Sequence, residues 1–102
     1  MPYNNNIQAI FIDRYIANIL LNMDDRHFSE AEHWLQKAIT ADHNNDMRWH
    51  LGQDYALYGE FFRRQGNMQR AKEKLGEALD ILTKCGADGW VKKYEEERAS
   101  LA

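Results

Sequence analysis

The clearest hydrophobic pattern in the chain lies between residues 55 and 82, where apolar side chains recur every three or four residues. In the first half of this stretch, Tyr55, Tyr58 and Phe62 fall on one face of a predicted helix, because their spacing matches the helical period. The second half places five apolar residues on one face of another helix: Ala71, Leu75, Ala78, Leu79 and Leu82. The pattern therefore predicts two amphipathic helices packed against each other.

Glycines and one polar residue mark the turn and the contact between these two helices. Gly66 is expected to end the first helix, since glycine adopts the left-handed conformation without a Cβ clash. Asn67 is a favourable N-cap for the second helix. A glycine inside a helix, as at Gly59, costs about 1 kcal/mol relative to alanine. We therefore expect Gly59 to lie where the two helix axes approach closely.

These positions together resemble a tetratricopeptide repeat (TPR), which is a helical-hairpin module. The residues that match the family pattern are Tyr55, Tyr58, Gly59, Phe62, Gly66, Met68, Ala71, Leu75, Ala78 and Leu79. Two positions depart from it: Tyr55 stands where tryptophan is usual, and Thr83 stands near the usual closing proline. The resemblance implies an all-α fold in which antiparallel helical hairpins stack as a right-handed superhelix. It also implies a non-catalytic scaffold that binds a partner protein or peptide.

A second copy of the pattern lies forty residues earlier in the chain. The residues that repeat the alanine and leucine stripe are Ala31, Leu35, Ala38 and Ile39, preceded by Phe28. Ser29 and Glu32 have the spacing of a capping box, which places Ser29 at the N-cap. The forty-residue spacing exceeds the usual period of about 34 residues, and we expect the extra length in a third helix over 46–65. Such long repeats resemble those at the C-terminal ends of large bacterial signalling proteins.

The repeats predict one domain with about two hairpins and a final helix. Residues 1–6 are expected to be a disordered start, followed by a TPR-like domain over 7–102. The segments predicted within it are a hairpin over 7–42, a hairpin over 45–84 and a capping helix over 88–101. Gly86 is expected to end the fourth helix and Asp88 to cap the fifth. The last helix has a polar outer face, as the end of a repeat stack requires.

The helix predicted over 7–23 is apolar around most of its circumference. A helix of this kind must be covered on more than one side, and the neighbouring helices of a small domain cover only part of it. We expect this helix to form a homodimer, which is the commonest closed oligomer, or to dock on preceding repeats. The residues expected at the self-association surface are Phe11, Ile12, Tyr15, Ile16 and Ile19.

Composition and charge favour a cytoplasmic protein. Hydrophobic residues make up 44% of the chain and charged residues 28%, which is ordinary for a soluble globular domain. The net charge of −3 argues against a nucleic-acid partner, whose phosphates require a basic surface. The single cysteine, Cys85, excludes an internal disulfide and fits a reducing compartment. We expect no secretory leader, and because no run reaches about 18 apolar residues we expect no membrane association.

Candidate residues for chemistry are few. His43, Asp46 and His50 are of types that bind zinc, but the usual pair of histidines four residues apart is absent, so we expect surface residues and no metal site. Cys85 has no adjacent base in sequence and is expected to be an ordinary half-buried thiol. Phosphate-binding loops, nucleophile elbows and paired-carboxylate signatures are also absent. We therefore expect neither a cofactor nor an enzymatic activity.

The predicted binding surface is the concave side of the stacked hairpins, which the first helix of each hairpin lines. The residues of the third helix that are expected to face this groove are Gln53, Ala56, Leu57, Glu60, Arg63 and Arg64. A mixed surface of this kind suits a peptide with one or two apolar anchors and flanking charges. Some TPR proteins clamp a C-terminal carboxylate with lysine and asparagine. Here Ala56, Leu57 and Glu60 occupy the matching places, so a carboxylate clamp is not expected.

Overall fold

The computed structural model describes the backbone of residues 5–101 and the side chains of residues 12–101 apart from that of Asp25. This part of the chain contains no β-strand. Its helices are α1 (Asn5–Leu21), a short 3-10 helix (Asp25–His27), α2 (Phe28–Asn44), α3 (Arg48–Arg64), α4 (Met68–Lys84) and α5 (Asp88–Ala99). The all-α fold of stacked helical hairpins expected from the sequence is confirmed.

The three turns that follow α2, α3 and α4 have the same geometry and recur every twenty residues. One residue in each turn has a positive φ: Asp46 (55°), Gly66 (80°) and Gly86 (72°). The backbone N–H of the next residue donates to a carbonyl in the last turn of the preceding helix: Met47 to Asp42 (2.9 Å), Asn67 to Phe62 (2.9 Å) and Ala87 to Leu82 (3.0 Å). These bonds define a Schellman motif. The predicted helix-ending roles of Gly66 and Gly86 are confirmed.

The forty-residue period arises from equal helices rather than from one long helix. The prediction of a lengthened third helix over 46–65 is wrong, because α3 has 17 residues, as have α2 and α4. Each of these helices is followed by a three-residue turn, and two such units account for the period. Asn67 caps α4 as expected, since its side chain accepts a hydrogen bond from the backbone N–H of Arg70 at 3.2 Å.

Two predicted caps are wrong. Ser29 lies within the first turn of α2, which begins at Phe28 after the cap residue His27, and no side chain caps this helix. Asp88 is the first residue of α5, and the cap position is taken by Ala87, again without a side-chain bond. In both places the preceding turn fixes the helix start, so a good capping residue one or two positions later cannot act as the cap.

The ends of the domain differ by a few residues from the expected boundaries. Of the predicted disordered start over 1–6, residues 1–4 lie outside the described part of the chain, and Asn5 and Asn6 are helical. The first helix ends at Leu21 rather than at residue 23, and the last ends at Ala99 rather than at residue 101.

Two glycines allow α3 and α4 to pack closely. A Cβ atom on Gly59 would lie 3.0 Å from Cγ of Leu75 and 3.2 Å from the carbonyl oxygen of Ala71, so the predicted close contact at this glycine is confirmed. Gly52, two helical turns earlier, is tighter still, because its Cβ would lie 2.6 Å from Cγ of Leu82. The sequence analysis did not single out Gly52.

Aromatic residues of α3 join the two hairpins. The ring of Tyr58 stacks on that of Phe62 at 4.9 Å, and Phe61 contacts Phe28 of α2 edge to face at 5.6 Å. The hydroxyl of Tyr58 also donates a hydrogen bond to Glu32 of α2 at 2.7 Å. The buried apolar residues around these rings are Ala17, Leu21, Ala31, Leu35 and Ala71. A second core, between α3, α4 and α5, contains Ala56, Leu75, Ala78, Leu82 and Tyr94, with Tyr55 packed against it.

The helices form two layers. The molecule measures 51 × 36 × 18 Å along its principal axes, and its shortest dimension matches two helices of about 10 Å diameter. Helices α1, α3 and α5 share one surface to which α2 and α4 contribute no residue. Within residues 5–101, the helices lack the combination of length and apolar character needed to cross a membrane.

Candidate functional site

A groove with a volume of about 540 Å³ lies on the surface shared by α1, α3 and α5. Four of the six residues predicted for the groove line it: Gln53, Ala56, Leu57 and Glu60. They lie on α3 at three- and four-residue spacing, which places them along one face of that helix. Helix α1 forms one side of the groove and α5 forms the other.

The remaining two predicted groove residues, Arg63 and Arg64, do not line this groove and instead bind Glu60. Nε of each arginine lies 2.7 Å from a carboxylate oxygen of Glu60. Burial would raise the pKa of Glu60, but the two arginines outweigh it and hold that pKa below its ordinary value. Arg64 also donates to the carbonyl of Leu21 (3.0 Å) and to the side chain of Asn22 (2.7 Å). Arg64 thus joins the C-terminal ends of α1 and α3.

Aromatic side chains form one end of the groove. Trp49 of α3 and Trp90 of α5 lie 6.1 Å apart between ring centres, with their planes at 77°. Tyr94 lies nearly parallel to Trp90 at 5.8 Å, and Nζ of Lys93 is 5.1 Å from the Trp90 ring centre. Trp49 and Trp90 remain 37% and 38% exposed.

The sequence analysis missed this aromatic end of the groove. The signal was present in the forty-residue period, because Trp90 and Tyr94 stand forty residues after His50 and Asp54. That register identifies α5 as the first helix of a further repeat unit, whose equivalent face should continue the groove.

Tyr94 and Gln53 connect α5 to α3 beneath the groove. The Tyr94 hydroxyl donates a hydrogen bond to Oε1 of Gln53 at 2.6 Å. Burial, followed by the charge of Glu97, raises the pKa of Tyr94 to about 12, so the hydroxyl remains a donor at neutral pH. Nε2 of Gln53 is buried and has no hydrogen-bond partner within the described part of the protein. This amide nitrogen is therefore a buried donor that no described group satisfies.

Arg14 of α1 is fixed at the edge of the groove by α3. Its Nη1 donates to the carbonyl of His50 at 3.1 Å and to Oδ1 of Asp54 at 3.3 Å. Its Nη2 lies 3.2 Å from Nδ1 of His50, which must act as the acceptor because a guanidinium has no lone pair to offer. Burial and then the positive charge of Arg14 lower the pKa of His50. The imidazole is therefore neutral at pH 7, with its proton on Nε2.

Behind Arg14, two aspartates meet in the contact between α2 and α3. Asp42 and Asp54 are both 0% exposed. Three of their four carboxyl oxygens receive no hydrogen bond from any N–H or O–H group of the described residues. Burial, then the hydrogen bond to Asp42 and the charge of Asp42, raise the pKa of Asp54 to about 9, although Arg14 acts in the opposite direction. The Asp54 carboxyl group is therefore protonated at neutral pH.

Asp42 occupies a position that is apolar in the units twenty and forty residues later, and Asp54 one that is aromatic forty residues later. Asp42 stands twenty residues before Phe62 and forty before Leu82, and Asp54 stands forty before Tyr94. Asp13 of α1 is also buried nearby, and burial raises its pKa while neighbouring Lys37 lowers it. The substitution of aspartates for core residues in one repeat was the sequence signal for this cluster.

Of the residues predicted for self-association, Tyr15 also lines the groove. Ile12, Tyr15 and Ile19 keep more than half of their surface exposed, as does Met23 beyond the helix end. Ile16 is half-buried, and the Phe11 side chain lies outside the described residues. The exposed side chains described on α1, which include Asn18, are all uncharged. Asp13 and Arg14, the charged residues between positions 12 and 21, are buried or half-buried.

The other candidate residues lie apart from the groove lining. His43 and Asp46 are exposed at the end of α2, and His50 is half-buried against Arg14. Cys85 is exposed rather than half-buried as expected. Among the described residues, no group of three or more His, Cys, Asp and Glu side chains is arranged to hold a metal ion.

Comparison with known proteins supports the repeat. A TPR repeat-containing protein of Dictyostelium discoideum is 40% identical to this chain over 60 residues. The match covers 59% of this chain and 20% of that protein, so the chain spans about a fifth of its relative's length. No protein-family profile and no solved structure matches the chain. The similarity and the fold together support a TPR-like helical repeat, whereas the bacterial signalling context remains a prediction.

Proposed function

We propose that this protein is an interaction module that binds a segment of a partner protein in the groove between α1, α3 and α5. The observation that carries the proposal is the exposure of Trp49 and Trp90 beside a groove of about 540 Å³. Tryptophan is among the residues that dominate the binding energy of interfaces, and water contact with its ring is unfavourable. A partner side chain that covers these rings gains apolar contact that the free protein lacks.

The position of the groove adds support. Repeat proteins use the extended concave surface of the stack for binding, and four residues predicted for that role from the sequence line this groove. The surface is short, because it comprises two hairpins and one further helix. We therefore expect micromolar or weaker affinity for an isolated peptide, since the area and the number of ordered contacts are limited.

Selection from a random peptide library against the whole chain tests the proposal. The selected peptides should bind the wild type and a Glu73→Ala control on the exposed side of α4 with equal affinity. A Trp90→Ala variant should lose about tenfold or more in affinity, as expected for an interface anchor. Circular dichroism confirms that both variants fold. Binding in this groove would be contradicted if no peptide were selected, or if the selected peptides bound Trp90→Ala as tightly as the wild type.

A second candidate function is self-association through α1, favoured by the exposed apolar side chains of Ile12 and Ile19. Tyr15, which is also exposed, lines the neighbouring groove. Contiguous apolar surface of this kind marks interaction sites. Light scattering over a range of concentrations tests the candidate. A mass of twice 12.0 kDa, reduced to the monomer by Ile12→Asp with Ile19→Asp, would support a dimer through α1. A constant mass of 12.0 kDa would overturn it.

A further inference from the structure

Two arginines join α1 to α3, and they differ in the groups to which they are bonded. Arg64 donates to the Leu21 carbonyl and to the side-chain oxygen of Asn22, which do not titrate. Arg14 donates to the carbonyl of His50 and contacts its imidazole. Because an imidazole changes its charge near neutral pH, the link through Arg14 contains a group whose hydrogen bonding depends on pH in that range.

The contact between Arg14 and the His50 ring requires a neutral imidazole. Nη2 of Arg14 lies 3.2 Å from Nδ1 of His50, and since a guanidinium has only donors, Nδ1 must supply a lone pair. Protonation of Nδ1 removes that lone pair and places two positive charges against each other. The third partner of Arg14 offers little compensation, because burial raises the pKa of Asp54 to about 9 and its carboxyl group stays uncharged in acid.

The charge around this contact favours a neutral ring at pH 7. Burial lowers the pKa of His50, Arg14 lowers it further, and Asp42 acts in the opposite direction. The titratable and charged groups that face the contact from the surrounding helices are Arg14 of α1, Asp42 of α2, Asp54 of α3 and, across the groove, Lys93, Tyr94 and Glu97 of α5. Among the described residues, those of α4 take no part in the groove lining. The ring should therefore take up its proton below the ordinary value of 6.5.

We propose that His50 is a pH-sensitive switch for Arg14: the neutral imidazole holds the guanidinium against α3, and protonation of the imidazole releases it toward the groove. Arg64 keeps the C-terminal end of α1 attached to α3 in both states, because its acceptors at Leu21 and Asn22 do not titrate. The change is therefore confined to the part of α1 around Arg14.

The switch alters the groove because Arg14 lines it. The guanidinium lies 6.0 Å from the centre of the Trp49 ring, and Trp49 contacts the His50 ring edge to face at 4.9 Å. A released Arg14 brings an additional mobile positive charge to this end of the groove. This consequence rests on the proposed function. We expect a segment bound at pH 7 to lose about threefold or more in affinity at pH 5.5, as the loss of one hydrogen bond predicts.

NMR of the whole chain without ligand tests the switch. The His50 ring should titrate with a midpoint below 6.5, and the order parameter of the Arg14 Nε–H group should fall over the same pH range to below about 0.6, the value of a flexible group. In His50→Asn, the side-chain oxygen can accept from Arg14 but does not titrate, so Arg14 should stay ordered from pH 7 to pH 5. His43→Asn, an exposed substitution at the end of α2, is the matched control and should behave as the wild type does.

Arg14→Gln provides a second test that leaves the histidine in place. Without the positive charge, the midpoint of His50 should move closer to 6.5 than it is in the wild type. The inference is overturned if His50 stays neutral down to pH 5, or if Arg14 stays ordered while His50 titrates. It is also overturned if Arg14 loses its order in His50→Asn as in the wild type, or if Arg14→Gln leaves the midpoint of His50 unchanged.

Peptides from the library selection separate this inference from the proposed function. Selected peptides without histidine should bind the wild type and His43→Asn more weakly at pH 5.5 than at pH 7, and should bind His50→Asn equally at both. Equal affinity of the wild type at the two pH values would overturn the link between the switch and the groove. If no peptide is selected, the proposed function fails, whereas the NMR titration still decides whether His50 releases Arg14.

Discussion

The side chains of Asp42 and Asp54 lie next to each other, fully buried, in the contact between α2 and α3. Two carboxylates in contact cannot both be ionised without strong repulsion, and the raised pKa of Asp54 keeps a proton on this group in the folded protein at neutral pH. The pair lies behind Arg14, which in turn forms an edge of the groove. Asp54 therefore contacts both the buried Asp42 and a residue that lines the groove.

The free energy of unfolding is expected to fall as the pH rises from 7 to 9. The unfolded chain loses the Asp54 proton near the ordinary pKa of 3.8, whereas the folded protein loses it near 9. Between these values the folded state binds one more proton, so stability decreases by roughly 1 kcal/mol per pH unit. Below pH 6.5, His50 has the opposite effect on the pH dependence of stability. Because folding lowers the pKa of His50, the unfolded chain binds a proton there that the folded protein does not. Urea denaturation at pH 7, 8 and 9 isolates the Asp54 contribution.

Asp54→Asn provides the test of that assignment. The amide has the shape of a neutral carboxyl group and can donate to Asp42, but it has no proton to release in this range. Its free energy of unfolding should therefore stay constant from pH 7 to 9. Asp80→Asn, an exposed substitution on α4, should keep the wild-type slope. A wild-type protein whose stability does not change between pH 7 and 9 would show that Asp54 does not carry a proton in the folded state.

Gly52→Ala should destabilise the protein by about 2 kcal/mol, the typical cost of overpacking a core. The added Cβ would lie 2.6 Å from Cγ of Leu82, and the fully buried Leu82 side chain has little room to move. Gly89→Ala is the control, because a Cβ there meets no atom within 4 Å and alanine favours the helix by up to about 1 kcal/mol. The midpoint temperatures of thermal unfolding should therefore shift in opposite directions in these two variants. A Gly52→Ala protein as stable as the wild type would contradict the close approach of α3 and α4.

Asp46→Gly should stabilise the protein by about 1 kcal/mol, because the left-handed conformation is unfavourable by about that energy for a residue with a Cβ atom. The reciprocal substitution Gly66→Asp, in the equivalent turn, should destabilise it by a similar amount. The φ values of 55° and 80° show that both turns use this conformation. Denaturant midpoints of the two variants provide the measurement. Changes of the same sign would mean that the two turns are not equivalent.

Arg64→Ala should cost about 1 kcal/mol, because it removes hydrogen bonds to the Leu21 carbonyl and the Asn22 side chain that join α1 to α3. Arg63→Ala is the matched control. Arg63 pairs with Glu60 on its own helix and is about half-exposed, so its loss should cost less than about 0.5 kcal/mol. Amide hydrogen exchange should accelerate at the end of α1 in the Arg64 variant alone. Equal exchange in both variants would contradict the assigned link.

The helical hairpins were predictable because their determinants are local. The apolar stripe of Ala71, Leu75 and Ala78 follows the helical period, and Gly66 is the residue that a left-handed turn favours. The wrong caps at Ser29 and Asp88 have a local cause as well. The residue types favoured capping, but the backbone bonds of the preceding turn determine where each helix begins, and residue type alone does not reveal those bonds.

The buried polar cluster and the aromatic end of the groove were not predictable in the same way. Asp42 and Asp54 lie on different helices, and Arg14 comes from a third helix, so no spacing along the chain indicates that they meet. Trp49 and Trp90 are forty-one residues apart and touch only because α3 and α5 are neighbours in one layer. Contacts of this kind depend on how the hairpins stack rather than on the pattern within either hairpin.

The twenty-residue recurrence of the turns has a consequence for how such a chain changes in length. Each of α2, α3 and α4 occupies seventeen residues and leads into the next helix through a three-residue turn of one geometry. Duplication of residues 28–67 would follow Asn67 with Phe28, at the place where Met68 now begins α4. The copied segment would enter the array as a complete hairpin with no new type of junction. A gene that encodes this fold can therefore lengthen the array by in-frame duplication, one hairpin at a time.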